Sequence, residues 1–296
     1  MFNKHSKITV IGSLNMDLVV TAERHPEIGE TLTGTDFSTV CGGKGGNQAV
    51  ACAKLGDKVS FIGLVGDDYF GEIIHNEFKD LGINMANAEP VKGVPTGIAS
   101  ITNGDNDNSI IIVPGANAHV DRKMIDEYKD IILESDIVLT QLEIPIDTVD
   151  YIAEICGKNH IKLIMNPAPA SKLTDNILDG CSYLTPNEIE LAQLIMHHPD
   201  LMEKYKHKLI VTLGDKGSYF YDGDEKVHVE GYKAKVVDTT GAGDCFNGAL
   251  ASYLAKGHSM RESVDFANAA AAISVTKFGA QAGMPSLDNV KEKLNQ

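Results

Sequence analysis

Six short runs of almost unbroken apolar residues limit this chain more than any other feature: ITVIG (8–12), KVSFIGLVG (58–66), DIVLTQLE (136–143), KLIMNPAP (162–169), SYLTPN (182–187) and KLIVTLG (208–214). A strand that is apolar on both sides must be covered on both sides, the environment of a parallel sheet between layers of helices. Stretches of helical spacing fall between the runs, near 44–55, 68–81, 121–133, 146–158 and 187–196, and two more follow at 241–256 and in SMRESVDFANAAAAISVTKFG (259–279). This alternation predicts an α/β fold with a doubly wound, mostly parallel sheet flanked by helices. No repeat or long linker interrupts the 296 residues, so residues 1–296 read as a single main domain.

Two regions depart from the pattern. MDLVVTAERHPEIGETLTG (16–34) and TGIASITNGDNDNSIIIV (96–113) read as short strands with turns, and NGDNDN marks a hairpin. Such strands do not belong inside a parallel sheet. They predict a small β-sheet lid, formed by about 16–40 and 96–113; a pair of edge hairpins is the alternative.

The stretch VVDTTGAGDCFNGALASYLAKG (236–257) raises the first chemical question. Val236 and Val237 read as a strand end, Gly241, Ala242 and Gly243 strip the following loop of side chains, and a helix then begins at Asp244. A bare helix mouth presents free N–H groups and the positive end of the helix dipole to an anion. A carboxylate beside a bound phosphate repels it unless it has a task, and accepting a proton from an attacking hydroxyl is such a task. The alternative is a first-turn acid after a tight turn.

A second glycine cluster, CGGKGGNQAVACAKLG (41–56), also opens a helix. Gly42, Gly43, Gly45 and Gly46 are expected to expose N–H groups beside Lys44 and Asn47, with a plain tight turn as the alternative. In GSLNMD (12–17), Asn15 and Asp17 point the same way along an extended chain, a pair able to grip adjacent hydroxyls. Glu143 ends an apolar strand, where ligands of open α/β sheets bind.

Other classes are disfavoured. A formal charge of −15 argues against a nucleic-acid or anionic-membrane surface. Five cysteines without a CxxC pair fit reduced thiols, with Cys41, Cys52 and Cys245 as small buried hydrophobes. There is no GxxxxGK[ST], no GxGxxG after the first strand and no HExxH. His197 and His198 read as surface residues of a helix end. The N-terminal MFNKHSKITVIG soon meets Asn15 and Asp17, so neither signal peptide nor membrane span is expected, and the cytoplasm is the expected location.

Taken in order, GSLNMD, GGKGGNQA, TPNEIE (185–190), VTLGDKG (211–217) and DTTGAGDCFNGAL (238–250) resemble the ribokinase-like (PfkB) carbohydrate kinases over nearly the whole chain. PGAN (114–117) and FANAAAAISVTKFGAQ (266–281) are most similar to members that phosphorylate ribose. The resemblance implies transfer of the γ-phosphate of ATP to a sugar hydroxyl, with O5 of D-ribose as the expected acceptor. Fructose, deoxyribose, a 2-keto-3-deoxy sugar acid or a nucleoside are the alternatives within the family. A non-catalytic sugar-binding protein is the alternative outside it, and would be expected to lack Asp244.

Residue by residue, the resemblance implies Asp244 as catalytic base and the N–H groups of Gly241, Ala242 and Gly243 as the anion hole. It places the sugar on Asn15, Met16, Asp17, Gly43, Lys44, Gly45, Gly46, Asn47 and Glu143. Asn187 and Glu190 would serve the phosphates and Mg²⁺ through water. Thr212, Leu213, Gly214, Asp215, Lys216, Gly217 and Asn268 would bind the nucleotide, joined at its phosphates by Gly243 and Asp244. Asp238, with main-chain oxygens of Thr240, Ser274, Lys277, Gly279 and Gly283, would hold a monovalent cation, K⁺ in expectation. The family also implies a lid that closes over the sugar and a homodimer through it. Two departures stand out: LAQLIMHHPDLMEKYKHKL (191–209) is short for the family, and Gly283 replaces a hydroxyl residue.

Overall fold

The structure, a computed structural model, describes residues 6–87, 89–105 and 107–295. Its strands in chain order are β1 (Lys7–Ile11), β2 (Asn15–Thr21), β3 (Asp36–Gly42), β4 (Lys58–Ile62), β5 (Asn84–Met85), β6 (Gly97–Gly104), β7 (Asp107–Val113), β8 (Ile137–Thr140), β9 (Lys162–Met165), β10 (Tyr183–Leu184), β11 (Ile210–Thr212), β12 (Ser218–Asp222) and β13 (Glu225–Val229). Six of them form one sheet in the order β10-β9-β8-β1-β4-β5, and every pairing in it is parallel.

Alternation within each strand explains why these segments are apolar throughout. Ile8, Val10, Ile137, Leu139 and Ile164 enter a core on one side of the sheet. Ile62, Val138, Leu163 and Met165 enter a second core on the other. Each such burial stabilises the fold by roughly 1.5–3 kcal/mol. Helices cover both faces, among them Lys44–Lys54, Tyr69–Asp80, Ile146–Lys158, Ala242–Ala255 and Met260–Ser274. The 121–133 stretch is divided into Arg122–Glu127 and Lys129–Leu133, because Tyr128 leaves helical geometry (φ −110°).

Two strand assignments differ from expectation. The 208–214 run becomes β11 at the edge of a separate antiparallel sheet, β11-β12-β13, which meets the end of β10 and the chain after it through parallel bridges at Leu184–Leu209 and Asn187–Thr212. The link from β11 to β12 through Gly214–Lys216 is too short for a parallel crossover, so the chain turns back on itself. Val236 and Val237 lie exposed outside any strand, and the Val237 N–H bonds the Val275 carbonyl at 2.8 Å.

The regions that break the α/β alternation meet in a four-stranded sheet, β3-β2-β6-β7. Strand β2 pairs antiparallel with β3 and parallel with β6, whose hairpin partner is β7. Asp105 adopts φ 56° in that hairpin turn, as its NGDNDN signal requires, while Asn106 lies outside the described residues.

All five cysteines are buried, and burial pushes the thiols of Cys156, Cys181 and Cys245 up to about 12. His198 is not on the surface: it is 8% exposed, and its N–H bonds the Leu194 carbonyl where the Glu188–His197 helix turns inward. Among the described residues no helix is long and apolar enough to cross a membrane.

Candidate active site

Two helices set the site by the closeness of their crossing. Gly248 of the Ala242–Ala255 helix lies against Ala51 and Cys52 of the Lys44–Lys54 helix, where a Cβ would come within 2.6 Å of the Ala51 methyl. Their first turns are therefore neighbours, and Asn47 and Gln48 reach Asp244. Nδ2 of Asn47 donates to Oδ2 of Asp244 at 2.9 Å, and Nε2 of Gln48 donates to Oδ1 at 3.1 Å.

The mouth of the Ala242–Ala255 helix is open in the way the bare sequence suggests. Gly241 caps it in the left-handed region (φ 75°), a conformation costly for other residues. The N–H of Ala242 is taken by the Thr239 carbonyl at 3.2 Å, whereas those of Gly243 and Asp244 have no acceptor among the described residues. Gly243 faces open space. Of the expected Gly241–Gly243 set, then, only the Ala242 N–H is spent among the described residues, and the Asp244 N–H joins the free donors.

The second glycine cluster behaves otherwise. Three of its N–H groups are used internally: Lys44 N donates to Glu143 Oε2 at 3.0 Å, Gly45 N to the Ser13 hydroxyl at 3.4 Å and Gly46 N to the Ser13 carbonyl at 2.9 Å. The tight-packing alternative accounts for these three residues. They bring the helix against the end of β1 and deliver Lys44 and Asn47 to the cleft, while Gly43, at φ 84°, makes the entry turn.

Asn15 and Asp17 share one face of β2 and are both buried. Met16 points the opposite way into the hydrophobic core, so its side chain is not part of the site. Nδ2 of Asn117 donates to Oδ1 of Asn15 at 2.8 Å, and Asn117 also brackets both backbone groups of Leu14. Glu143 is fixed by Ser13, whose hydroxyl donates to its Oε2 at 2.6 Å.

Charge is concentrated here. Burial, then the carboxylates of Glu143 and Asp244, push Asp17 up to about 7. Burial also raises Asp244 to about 6, against the opposing pull of Lys44 and the Asn47 and Gln48 amides. Burial works against the Lys44 ammonium, but Asp244, Glu143, Glu190 and Asp17 outweigh it and hold the pKa above its ordinary value. A carboxylate near neutrality beside unspent N–H groups and a buried ammonium can take a proton from a hydroxyl that attacks a bound anion.

The remaining candidates fall into two groups. Asn187 and Glu190 close a capping box at the start of the Glu188–His197 helix, with hydrogen bonds of 2.8 and 2.9 Å, and burial raises the Glu190 carboxyl. Thr212 lies beside Asn187, and Leu213–Gly217 form the turn between β11 and β12. Asn268 spends its amide on the Ser218 hydroxyl and the Val229 and Glu230 carbonyls, so it braces that sheet from within.

Asp238 ties two loops together. Oδ1 accepts from the N–H and hydroxyl of Thr240, at 2.9 and 2.7 Å, and Oδ2 accepts from the Gly279 N–H at 2.8 Å. Gly283 lies against the Ser274 carbonyl, leaving no room for a side chain. Lys277 is exposed between them. A cleft runs from Asp238 and Phe278 to the inner face of the four-stranded sheet at Asp17, Ile101 and Ile110.

Sequence reasoning missed Ser13, Gln48, Asn117, Asn166 and Gln281, which hold the site from behind. A polar residue within an otherwise buried apolar stretch was the signal available for Gln48.

The family model described as pfkB family carbohydrate kinase matches residues 5–287. The chain is 47% identical over 294 residues to the ribokinase of Lactococcus lactis, with 98% of each chain covered. It is 43% identical to the ribokinase of Bacillus subtilis, covering 97% of this chain and 99% of that one. The structure of Arabidopsis thaliana ribokinase complexed with ribose and ATP superposes with a TM-score of 0.91 at 34% identity, covering 99% of this chain and 100% of that chain. An open helix mouth carrying a carboxyl raised to about 6 is thus met by similarity along the whole length, and the chain belongs to the pfkB family of carbohydrate kinases.

Proposed function

We propose that this protein transfers the γ-phosphoryl group of ATP to O5 of D-ribose, giving D-ribose 5-phosphate and ADP. The observation that carries it is Asp244, buried and raised to about 6, next to the unbonded N–H groups of Gly243 and Asp244. Similarity to ribokinases of L. lactis and B. subtilis, and to one solved with ribose and ATP, supports the choice of substrates.

Asp244 accepts the proton of the sugar hydroxyl as its oxygen attacks, and the free amides meet charge on the phosphoryl group. Asn15, Asp17, Asn47 and Glu143 hold the other hydroxyls, and Lys44 balances the carboxylates around them. Thr212 and the Leu213–Gly217 turn border the nucleotide, which Asn268 serves from behind. The sheet formed by β2, β3, β6 and β7 acts as a lid over the sugar.

Two ions belong to this proposal. Among the described residues no group of three or more His, Cys, Asp or Glu could hold a metal by itself. That suits a Mg²⁺ carried by the nucleotide phosphates, with Asn187 and Glu190 completing its shell through water. When bound, Mg²⁺ supplies neutralising charge at the phosphates. Asp238 and the main-chain oxygens of Thr240, Ser274, Lys277, Gly279 and Gly283 would supply an all-oxygen donor set with a single carboxylate. Such a set fits a monovalent cation such as K⁺, which supplies positive field behind the loop leading to Gly241.

ADP release measured across pentoses, hexoses, sugar acids and nucleosides, with Mg²⁺ present, tests the assignment. Ribose is expected to give the highest kcat/KM, and a nucleoside preferred over ribose would overturn it. Asp244→Asn is expected to lower kcat by roughly 100-fold or more while ATP still binds. The ribose assay repeated in K⁺, Na⁺ and tetramethylammonium is expected to favour K⁺; equal rates in all three would remove the cation.

A further inference from the structure

Among the described residues, both side chains that donate to Asp244 are amides, and each of these is gripped by a further amide. On one side Asn47 donates to Oδ2, and Asn47 Oδ1 accepts from Nε2 of Gln281 at 3.1 Å. On the other side Gln48 donates to Oδ1, and Gln48 Oε1 accepts from Nε2 of Gln141 at 2.7 Å. An ionised carboxylate only accepts hydrogen bonds. It therefore dictates which end of each neighbouring amide faces it, and that choice passes outward to the next. Both relays must then end on carbonyl oxygens. Oε1 of Gln141 and Oε1 of Gln281 are indeed buried without a donor. An acceptor buried without a partner opposes folding. Two of them, each at the far end of a relay that starts from the same carboxylate, fit selection for the state of that carboxylate better than selection for stability.

Gln48 has the most constrained place in this arrangement. Its side chain is fully buried, so it cannot touch substrate. Both of its N–H donors are used, because Nε2 also reaches Oδ1 of Asn166 at 3.2 Å, and its Oε1 is held by Gln141. Asn166 is anchored in turn on the Thr185 carbonyl at 3.2 Å. We propose that Gln48, clamped by Gln141 and Asn166, is a positioning residue that fixes one oxygen of Asp244 so that the carboxylate stays ionised and aimed at the acceptor hydroxyl. The inference rests on Asp244 being the base of the reaction proposed above. Other titratable groups also face Asp244: the charged Lys44 from the Lys44–Lys54 helix, Glu143 from beyond β8 and Asp17 from β2, and the neutral Cys245 thiol beside it on its own helix. They change neither the length nor the polarity of the Gln48 relay, so replacing Gln48 or Gln141 isolates the amide's contribution.

The test compares wild type with Gln48→Met and Gln141→Met, which keep side-chain volume, in ribose-dependent ADP release across pH. Melting curves are recorded for each. Gln48→Met is expected to lower kcat by about 10- to 100-fold, the scale of a misaimed catalytic group, with ribose KM essentially unchanged. Losing a donor favours the protonated carboxyl, so the acid limb of kcat/KM is expected to move to higher pH. Gln141→Met is expected to shift both in the same direction by less, since it frees the Gln48 amide to turn. If Gln48→Met does not fold, Gln141→Met decides alone. A wild type inert on every sugar would remove Asp244 as base. An active wild type whose folded variants keep kcat and the acid limb would remove only Gln48's role, as would a raised KM with unchanged kcat.

Discussion

Asp17 carries a tension that shows in the stability of the protein. Its carboxyl is held near 7 by burial and by the neighbouring Glu143 and Asp244, far above the 3.8 of a free aspartate. A carboxyl raised in the folded state contributes stability that is complete below its unfolded pKa and lost as pH rises through the folded value, here from about pH 4 to about pH 7. Asp17→Asn removes that loss. Urea unfolding is expected to show the variant gaining on wild type by about 1–2 kcal/mol more at pH 8 than at pH 5, while ribose binding weakens. A gain equal at both pH values would show that Asp17 is not strained by charge. At this scale the sequence was partly legible. Asn15, Asp17 and Asp244 stood out because spacing and bare loops isolate them. Gln48, Asn117 and Gln281 did not, because their work is done on other side chains, and no local pattern records which amide faces which.

The element that matters most is the Ala242–Ala255 helix, whose entry depends on one backbone conformation. Gly241 caps it at φ 75°, and a Cβ there would sit 2.6 Å from the methyl of Ala280, which opens the short helix Ala280–Gly283 just after the Gly279 N–H that Asp238 binds. Gly241→Ala combines left-handed strain with that clash. Unfolding is expected to show a loss of about 1–3 kcal/mol, and kcat to fall more than the KM for ribose changes, because the free N–H groups move with the cap. Wild-type kcat in a variant of lowered stability would separate the cap from the chemistry. The strands of the parallel sheet were visible because two-sided burial leaves long apolar runs. The partner of β11 was not, since an apolar run says that a strand is covered and leaves its direction to the length of the following turn. Val236 and Val237 misled for a similar reason: β-prone residues need a neighbouring strand, and the Val237 N–H instead meets a carbonyl just past the end of the Met260–Ser274 helix.

At the scale of the whole molecule, the four-stranded sheet carries apolar residues on both faces. One face turns to the cleft. The other places Val20, Phe37, Ile111 and Val113 on a common surface by register, and all four are exposed, Ile111 at 70%. Strand β7 is an edge strand exposed along its whole length. Apolar surface of this kind on an unpaired edge marks a contact site, and a second copy of the chain is the proposed occupant. Ile111→Asp is expected to convert a dimer into monomers in sedimentation velocity, with lower ribose affinity if the partner steadies the lid. A wild type that sediments as a monomer at micromolar concentration would end the idea.

The parallel pairing of β2 with β6 joins Asn15 to Gly97, so the chain that carries β4, the Tyr69–Asp80 helix and β5 must be made before that ladder can close. During synthesis the β2–β3 hairpin therefore emerges early and waits with a raw edge. The four-stranded sheet is begun among the first strands made and completed only after about fifty further residues have followed, which makes the interval the stretch of its biogenesis most open to mispairing.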